Sequence, residues 1–259
     1  MSTTNPYAAP KAAVADQTVV IDADFIPYGE RRPIGHGGSW IAAAWGIFKR
    51  QPALWIGGVL LLFIIFMGAS FIPLLGMFSG IFWPVFMAGI AIGARTIDQG
   101  GEMELGHLFA GFQQRFGTLV AVGAIAFLLS MVITFGVFGV MGFGMWSAMS
   151  SNDPQVLMSM MLPMLLAMLI ATALLLPVMM AMWFAPVLVV FHELGAWEAM
   201  KQSFSGCLKN FLPFLWYGVL LFLLSIAAMI PLFLGLLVLW PVIVASLYTS
   251  YRDIYLRPR

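Results

Sequence analysis

The long apolar runs of this chain contain no aspartate, glutamate, lysine, arginine or histidine. An ionisable group deep in a bilayer is costly and usually marks an ion or substrate path, so this absence argues against a pump, an ion conductor or intramembrane catalysis. Cysteine is nearly absent too: Cys207 is the single thiol, which excludes an internal disulfide framework. Charged residues are 9% of the chain, against roughly a quarter in a soluble domain. The start, Met1 to Thr4, is polar and no apolar core follows within the first 30 residues. The chain therefore reads as lacking a cleavable secretion signal, with its first spanning helix acting as the insertion signal.

What is present is hydrophobic surface: 62% of residues, at a mean hydropathy of +0.98. A bilayer-spanning helix needs about 20 mostly apolar residues. Such runs occupy about 52–75, 78–94, 118–141, 156–191 and 211–248. The run 156–191 has no polar divider and reads as one long, broken helix, with Pro163 and Pro177 permitting a kink or an interfacial start; two short helices are the alternative. The run 211–248 suits two spans divided at Ile230-Pro231-Leu232. The expectation is an all-α integral membrane protein with six transmembrane helices.

Amphipathic stretches precede the hairpins. Trp40, Ala44, Ile47 and Phe48 share a helical face, with Ser39 as the expected N-cap. Leu105, Leu108, Phe109, Phe112 and Phe116 recur at helical spacing, and so do Trp197, Met200, Phe204 and Leu208. These read as three helices lying at the membrane interface. Residues 1–37 carry Pro6, Pro10, Pro27 and Pro33 with scattered charge and read as a flexible cytoplasmic tail. Residues 256–259 read as a second tail.

The ends of the chain resemble one another. Ile72-Pro73-Leu74-Leu75-Gly76 precedes Trp83-Pro84-Val85, and Ile230-Pro231-Leu232-Phe233-Leu234-Gly235 precedes Trp240-Pro241-Val242. The middle third keeps the order of parts and carries Trp183-Phe184-Ala185-Pro186. The chain thus reads as three tandem, parallel units of interfacial helix plus hairpin, over about 38–99, 104–193 and 195–255. All twelve Lys and Arg residues then fall on one side of the spans. The positive-inside rule places both termini in the cytoplasm.

Candidate site residues are few. Trp40 and Trp197 mark the interface. Pro73, Pro84, Pro186, Pro231 and Pro241 interrupt backbone bonding that lipid cannot satisfy. Gly89 and Gly93 offer a small flat face for close packing. His107 closes the polar cluster Asp98, Glu102 and Glu104, which is either solvated loop or a partner contact. His192–Glu193 has neither an HExxH nor paired cysteines beside it, and ordinary interfacial residues explain it as well as chemistry does. The methionines between Met158 and Met182 are irregularly spaced, as packing material would be. No catalytic, metal or cofactor residue is expected.

The blocks Phe48-Lys49-Arg50-Gln51-Pro52, Glu104-Leu105-Gly106-His107-Leu108-Phe109, Trp183-Phe184-Ala185-Pro186, Trp197-Glu198-Ala199-Met200-Lys201 and Ser250-Tyr251-Arg252-Asp253-Ile254 resemble an uncharacterised family of proteobacterial inner-membrane proteins. The likeness covers about residues 38–255. More distantly, the repeated helix-plus-hairpin is similar to the membrane domain of some glycerophosphodiester phosphodiesterases. That resemblance implies an envelope or lipid setting and carries no catalytic residues here. The expected role is a non-enzymatic inner-membrane factor binding lipid, a protein partner or a second copy of itself, with no nucleic acid. A transporter of lipid or another apolar solute and an enzyme with a cytoplasmic-face site are the alternatives.

Overall fold

A computed structural model of the protein describes residues 23–150 and 154–258. Its elements in chain order begin with β1 (Ala23–Phe25), α1 (His36–Phe48), α2 (Pro52–Ser70), α3 (Pro73–Ser79), a 3-10 turn, Gly80–Phe82, and α4 (Trp83–Asp98). A 3-10 segment, Leu105–Phe109, leads into α5 (Ala110–Gln113), followed by α6 (Phe116–Ser150), α7 (Pro154–Ser159), α8 (Met161–Trp183) and α9 (Ala185–His192). The last elements are α10 (Ala196–Lys209), α11 (Phe211–Met229), α12 (Leu236–Tyr255) and β2 (Leu256–Pro258).

Among the described residues, five stretches are long and apolar enough to cross a membrane: Pro52–Ser70, Pro73–Asp98, Phe116–Trp146, Met161–His192 and Phe211–Met229. The chain is an all-α, multi-pass membrane protein. Its outer helices show why. On α2 only Trp55, Gly58 and Leu62 are buried, while Phe63, Ile64 and Met67 are open to the surroundings. Such a surface is stable only where lipid replaces water. The long run after residue 156 is interrupted at Phe184, where Pro186 lacks an amide proton and cannot continue the ladder.

The helix α12 has the opposite character. Ala245 to Tyr251 are all buried on it, followed by Ile254 and Tyr255. With Tyr248, Thr249, Ser250, Tyr251, Arg252 and Asp253 along its last turns, it is less apolar than the five spans and lies at the centre of the bundle against α1, α2, α4 and α11.

The short amphipathic elements pack in a cyclic order. Helix α1 lies on α11 and α12, the 3-10 segment and α5 lie on α4, and α10 lies on α8 and α9. The buried face of α1 is Gly37, Trp40, Ala44, Ile47 and Phe48, the expected stripe. The helix begins at His36 with Gly35 as N-cap, not at Ser39. The Ser39 hydroxyl instead donates to the His36 carbonyl at 2.8 Å, a bond made inside the first turn.

The expected tail over 1–37 differs in its second half. Residues 1–22 lie outside the described residues, as do Asp153 and Arg259. From Ala23 onward the chain is docked: β1 pairs antiparallel with β2, in the register Ala23↔Pro258, Asp24↔Arg257 and Phe25↔Leu256. The same pairing makes a strand of Leu256–Pro258, where a tail was expected. The Ile26 amide then donates to the Tyr255 carbonyl (2.8 Å) and the Glu30 amide to the Ile254 carbonyl (2.9 Å). A turn with positive φ at Tyr28 and Gly29 connects them. Backbone groups of a proline-rich segment need partners somewhere, and here the end of α12 and the side chains of α10 supply them.

Candidate functional site

The prolines fall at different helix positions, and only some deform a helix. Pro73 and Pro84 occupy first-turn positions of α3 and α4. An amide proton there would be unused, so neither makes a kink. Pro231 lies in the turn between α11 and α12, and Pro241 is inside α12. Pro186 opens α9 just past the break. The gap at that break is filled from α10: the Ser203 hydroxyl accepts the Phe184 amide at 2.9 Å and donates to the Met180 carbonyl at 2.6 Å.

Gly89 and Gly93 are both buried, but loop-derived elements approach them, not another spanning helix. A Cβ at Gly89 would run into the backbone carbonyls of His107 and Leu108. At Gly93 it would meet the Met103 side chain at 2.9 Å.

The polar cluster read between Asp98 and His107 separates. Asp98 leaves it to bind α12: both carboxylate oxygens receive Arg252 Nη1 at 2.5 Å, and the Tyr248 hydroxyl donates at 3.0 Å. His107 accepts the Glu104 amide at 2.8 Å and closes a capping box on the 3-10 segment. His192 pairs with the Tyr251 hydroxyl at 2.6 Å and stacks on Phe25 at 3.6 Å between ring centroids. Arg95 sits over the Phe191 ring, 4.8 Å from its centroid. The charged ends of α4, α9 and α12 therefore meet in one aromatic and ionic cap. Among the described residues no three His, Cys, Asp or Glu side chains gather closely enough to hold a metal ion.

The N-terminal segment adds polar anchors that sequence reasoning missed. Asn210, fully buried between α10 and α11, accepts the Arg32 amide at 2.7 Å and donates to the Glu30 carbonyl (2.9 Å) and the Gly206 carbonyl (2.8 Å). Tyr28 donates its hydroxyl to Glu198 at 2.8 Å. Hydrogen bonds from Lys201, Tyr28 and Gln202 hold the Glu198 carboxyl at about 2, well below the ordinary carboxylate range. Asp253 gathers His36 (2.8 Å), the Trp40 indole (2.8 Å) and Arg32 (3.4 Å). Trp40 is thus a buried anchor of α1. Trp197, by contrast, is 61% exposed on the outer face of α10. Cys207 is buried beside Met180, and burial pushes its thiol up.

Most of the cavities are apolar clefts between helices. A groove of about 410 Å³ lies between α2, α4 and α12. Phe63 and Phe66 line it from α2, Trp83 from α4, and Leu237, Trp240 and Val244 from α12. Trp83 and Trp240, the two tryptophans of the repeated Trp-Pro pairs, are both in its wall. Its lining offers almost nothing to a polar solute and much to a hydrocarbon chain.

No family model, curated protein or solved structure matches this chain.

Proposed function

We propose that this chain is a non-enzymatic protein of a bacterial cytoplasmic membrane, with six spans and both termini in the cytoplasm. It holds lipid acyl chains in the lateral groove between its first and last hairpins and serves envelope organisation. The groove walled by Trp83 and Trp240 is the observation that carries this reading.

The sixth span is α12. Its 20 residues reach ~30 Å at 1.5 Å per residue, enough for a hydrocarbon core. Its tyrosine-rich end lowers its hydropathy because that end is buried in protein and lipid never meets it. The cyclic packing supports three tandem units: each short amphipathic element lies on the hairpin of the unit before it, and the first closes on the third. The proteobacterial family resemblance in the blocks around Phe48–Pro52, Glu104–Phe109 and Ser250–Ile254 agrees with an envelope setting.

The test is crosslinking of the full chain in vesicles with a phospholipid carrying a photoactivatable group midway along its acyl chain. Adducts should concentrate on the α2 and α12 residues that line the groove. Adducts spread evenly over the outer faces of α2, α6, α8 and α11 would mean ordinary annular lipid and would sink the reading.

A further inference from the structure

A second cavity carries charge. About 500 Å³ in volume, it is bounded by Arg31, Arg32 and Ile34 of the N-terminal segment and by Lys209, Phe211 and Leu212 where α10 meets α11. Phe211 also lines an apolar groove of about 230 Å³ between α8 and α11, with Met179, Trp183, Phe214 and Leu215 along it. A cationic chamber therefore adjoins a hydrocarbon groove through one phenylalanine. The junction sits at the start of a spanning helix, the depth of lipid headgroups.

The positive charge there is only partly neutralised among the described residues. Arg32 is engaged, bonding the Asp253 carbonyl and lying 3.6 Å from Glu30. Among the described residues Lys209 Nζ meets only backbone carbonyls, of Tyr28 at 3.2 Å and Gly29 at 3.0 Å. Arg31 is exposed and has no ion pair or hydrogen bond among the described residues. The carboxylates of Glu30, Asp253 and Glu198 are paired with other groups: Glu30 with Arg32 and Arg257, Asp253 with Arg32 and His36, Glu198 with Lys201. Among the described residues Arg31 and Lys209 thus face the chamber without an ion-pair partner, and the adjoining groove is apolar.

We infer that this junction binds one glycerophospholipid with a net anionic headgroup, its phosphodiester between Arg31 and Lys209 and an acyl chain along Trp183 and Phe214. The inference rests on the lipid-binding reading above but concerns a different site and adds headgroup selectivity to it. A phosphodiester suits Arg31, whose guanidinium presents paired donors, and Lys209 adds a point charge. A basic group at the membrane surface contributes about fivefold to the binding of anionic lipid, less at high salt.

The experiment uses the full chain in phosphatidylcholine vesicles containing a small fraction of spin-labelled phosphatidylglycerol or spin-labelled phosphatidylcholine. The motionally restricted fraction should favour phosphatidylglycerol and lose that preference as salt is raised. Arg31→Gln should lower the preference about fivefold, and because Arg31 has no described partner it leaves the fold intact. Met179→Trp, which fills the groove without altering charge, should lower restriction of the labelled anionic lipid as well. Equal restriction of the two lipids, or a preference untouched by Arg31→Gln and Lys209→Gln, overturns the inference. Equally tight capture of soluble glycerophosphate or of an acidic peptide overturns it too, because the chain groove would then be irrelevant. Continued crosslinking at α2 and α12 in such a case leaves the groove reading standing, so the two failures are distinguishable.

Discussion

The Ser203 hydroxyl on α10 occupies the place of the missing backbone bond between Phe184 and Met180, accepting from the one and donating to the other. A helix broken inside a membrane protein must have its freed groups satisfied by neighbours, and a single hydroxyl does so for both. The break therefore has a fixed geometry, and it is tied to the amphipathic helix lying against it.

Ser203→Ala should destabilise the fold by about 1–3 kcal/mol if both groups are left unsatisfied. Direct closure of the Phe184 amide onto the Met180 carbonyl would reduce the loss toward ~0.6 kcal/mol, the average for hydrogen bonds within membranes. Ser205→Ala, which removes only a weak exposed bond of 3.4 Å to Tyr28, is the comparison and should be near neutral. Reversible unfolding in detergent micelles measures both, and equal values for the two would refute the bridging role.

Gly89 and Gly93 should respond differently to alanine. The new methyl at Gly89 meets backbone carbonyls, which cannot move without shifting the 3-10 segment, so a cost of about 1–3 kcal/mol is expected. At Gly93 the obstacle is the Met103 side chain from Cγ to Cε, which is flexible where a backbone carbonyl is not. The gain of up to about 1 kcal/mol in helix propensity then offsets much of the crowding. Unfolding curves should rank Gly89→Ala well below Gly93→Ala, and the reverse order would contradict this packing.

The pairing of Tyr28 with Glu198 should weaken in acid. Folding lowers the Glu198 carboxyl from its ordinary 4.5 to about 2, so its contribution is complete above 4.5 and is lost as pH falls from there through 2. Pepsin works across that range and should cut near Phe25 and Tyr28 increasingly fast as the pH drops. Glu198→Gln is expected to remove most of this pH dependence. An identical profile in the variant would show that another group governs docking.

Asp98 and Arg252 join the charged ends of α4 and α12. Their side chains are 22% and 43% exposed, between the surface pairs that contribute almost nothing and the buried pairs whose disruption costs several kcal/mol. A double-mutant cycle with Asp98→Asn and Arg252→Gln should return a coupling of about 1 kcal/mol. Tyr248→Phe should cost about 0.5–1.5 kcal/mol through loss of its bond to Asp98. A coupling indistinguishable from zero would reduce the pair to a surface contact.

Much of the architecture is legible in hydrophobic spacing. The stripe Trp40, Ala44, Ile47 and Phe48 is the buried face of α1, and the undivided run after Val156 is helical through the end of α7, α8 and α9. Its break before α9 falls at Phe184, ahead of Pro186, while Pro163 and Pro177, the expected points, both lie within α8. The N-terminal segment is not legible that way. Its backbone groups bond to Tyr255, Ile254 and Asn210, more than a hundred residues away, and such pairing leaves no local period. Ser203 is hidden for a related reason. A hydroxyl on an amphipathic helix looks the same in sequence whether it faces water or completes another helix. The cluster from Asp98 to His107, read as solvated loop or partner contact, divides: Glu102 and Glu104 are exposed, while Asp98 makes an interhelical ion pair and His107 a cap, which closeness in sequence could not distinguish.

Asn210 separates the two halves of an amide chemically. Its oxygen accepts the Arg32 amide, while its nitrogen donates to the Glu30 and Gly206 carbonyls. Asn210→Ala removes all three bonds at a fully buried position and should cost at least about 2 kcal/mol. Asn210→Asp keeps the acceptor but sets a carboxylate against two carbonyl oxygens in a site closed to water, where an unpaired charge is more costly than an absent side chain. The aspartate variant should therefore be the less stable at neutral pH. It should recover partly in acid, because protonation restores one donor. Unfolding at pH 7 and pH 4 distinguishes these expectations. An aspartate variant more stable than alanine at pH 7 would show that the Arg32 amide is the bond that matters, and that the two carbonyls find other donors.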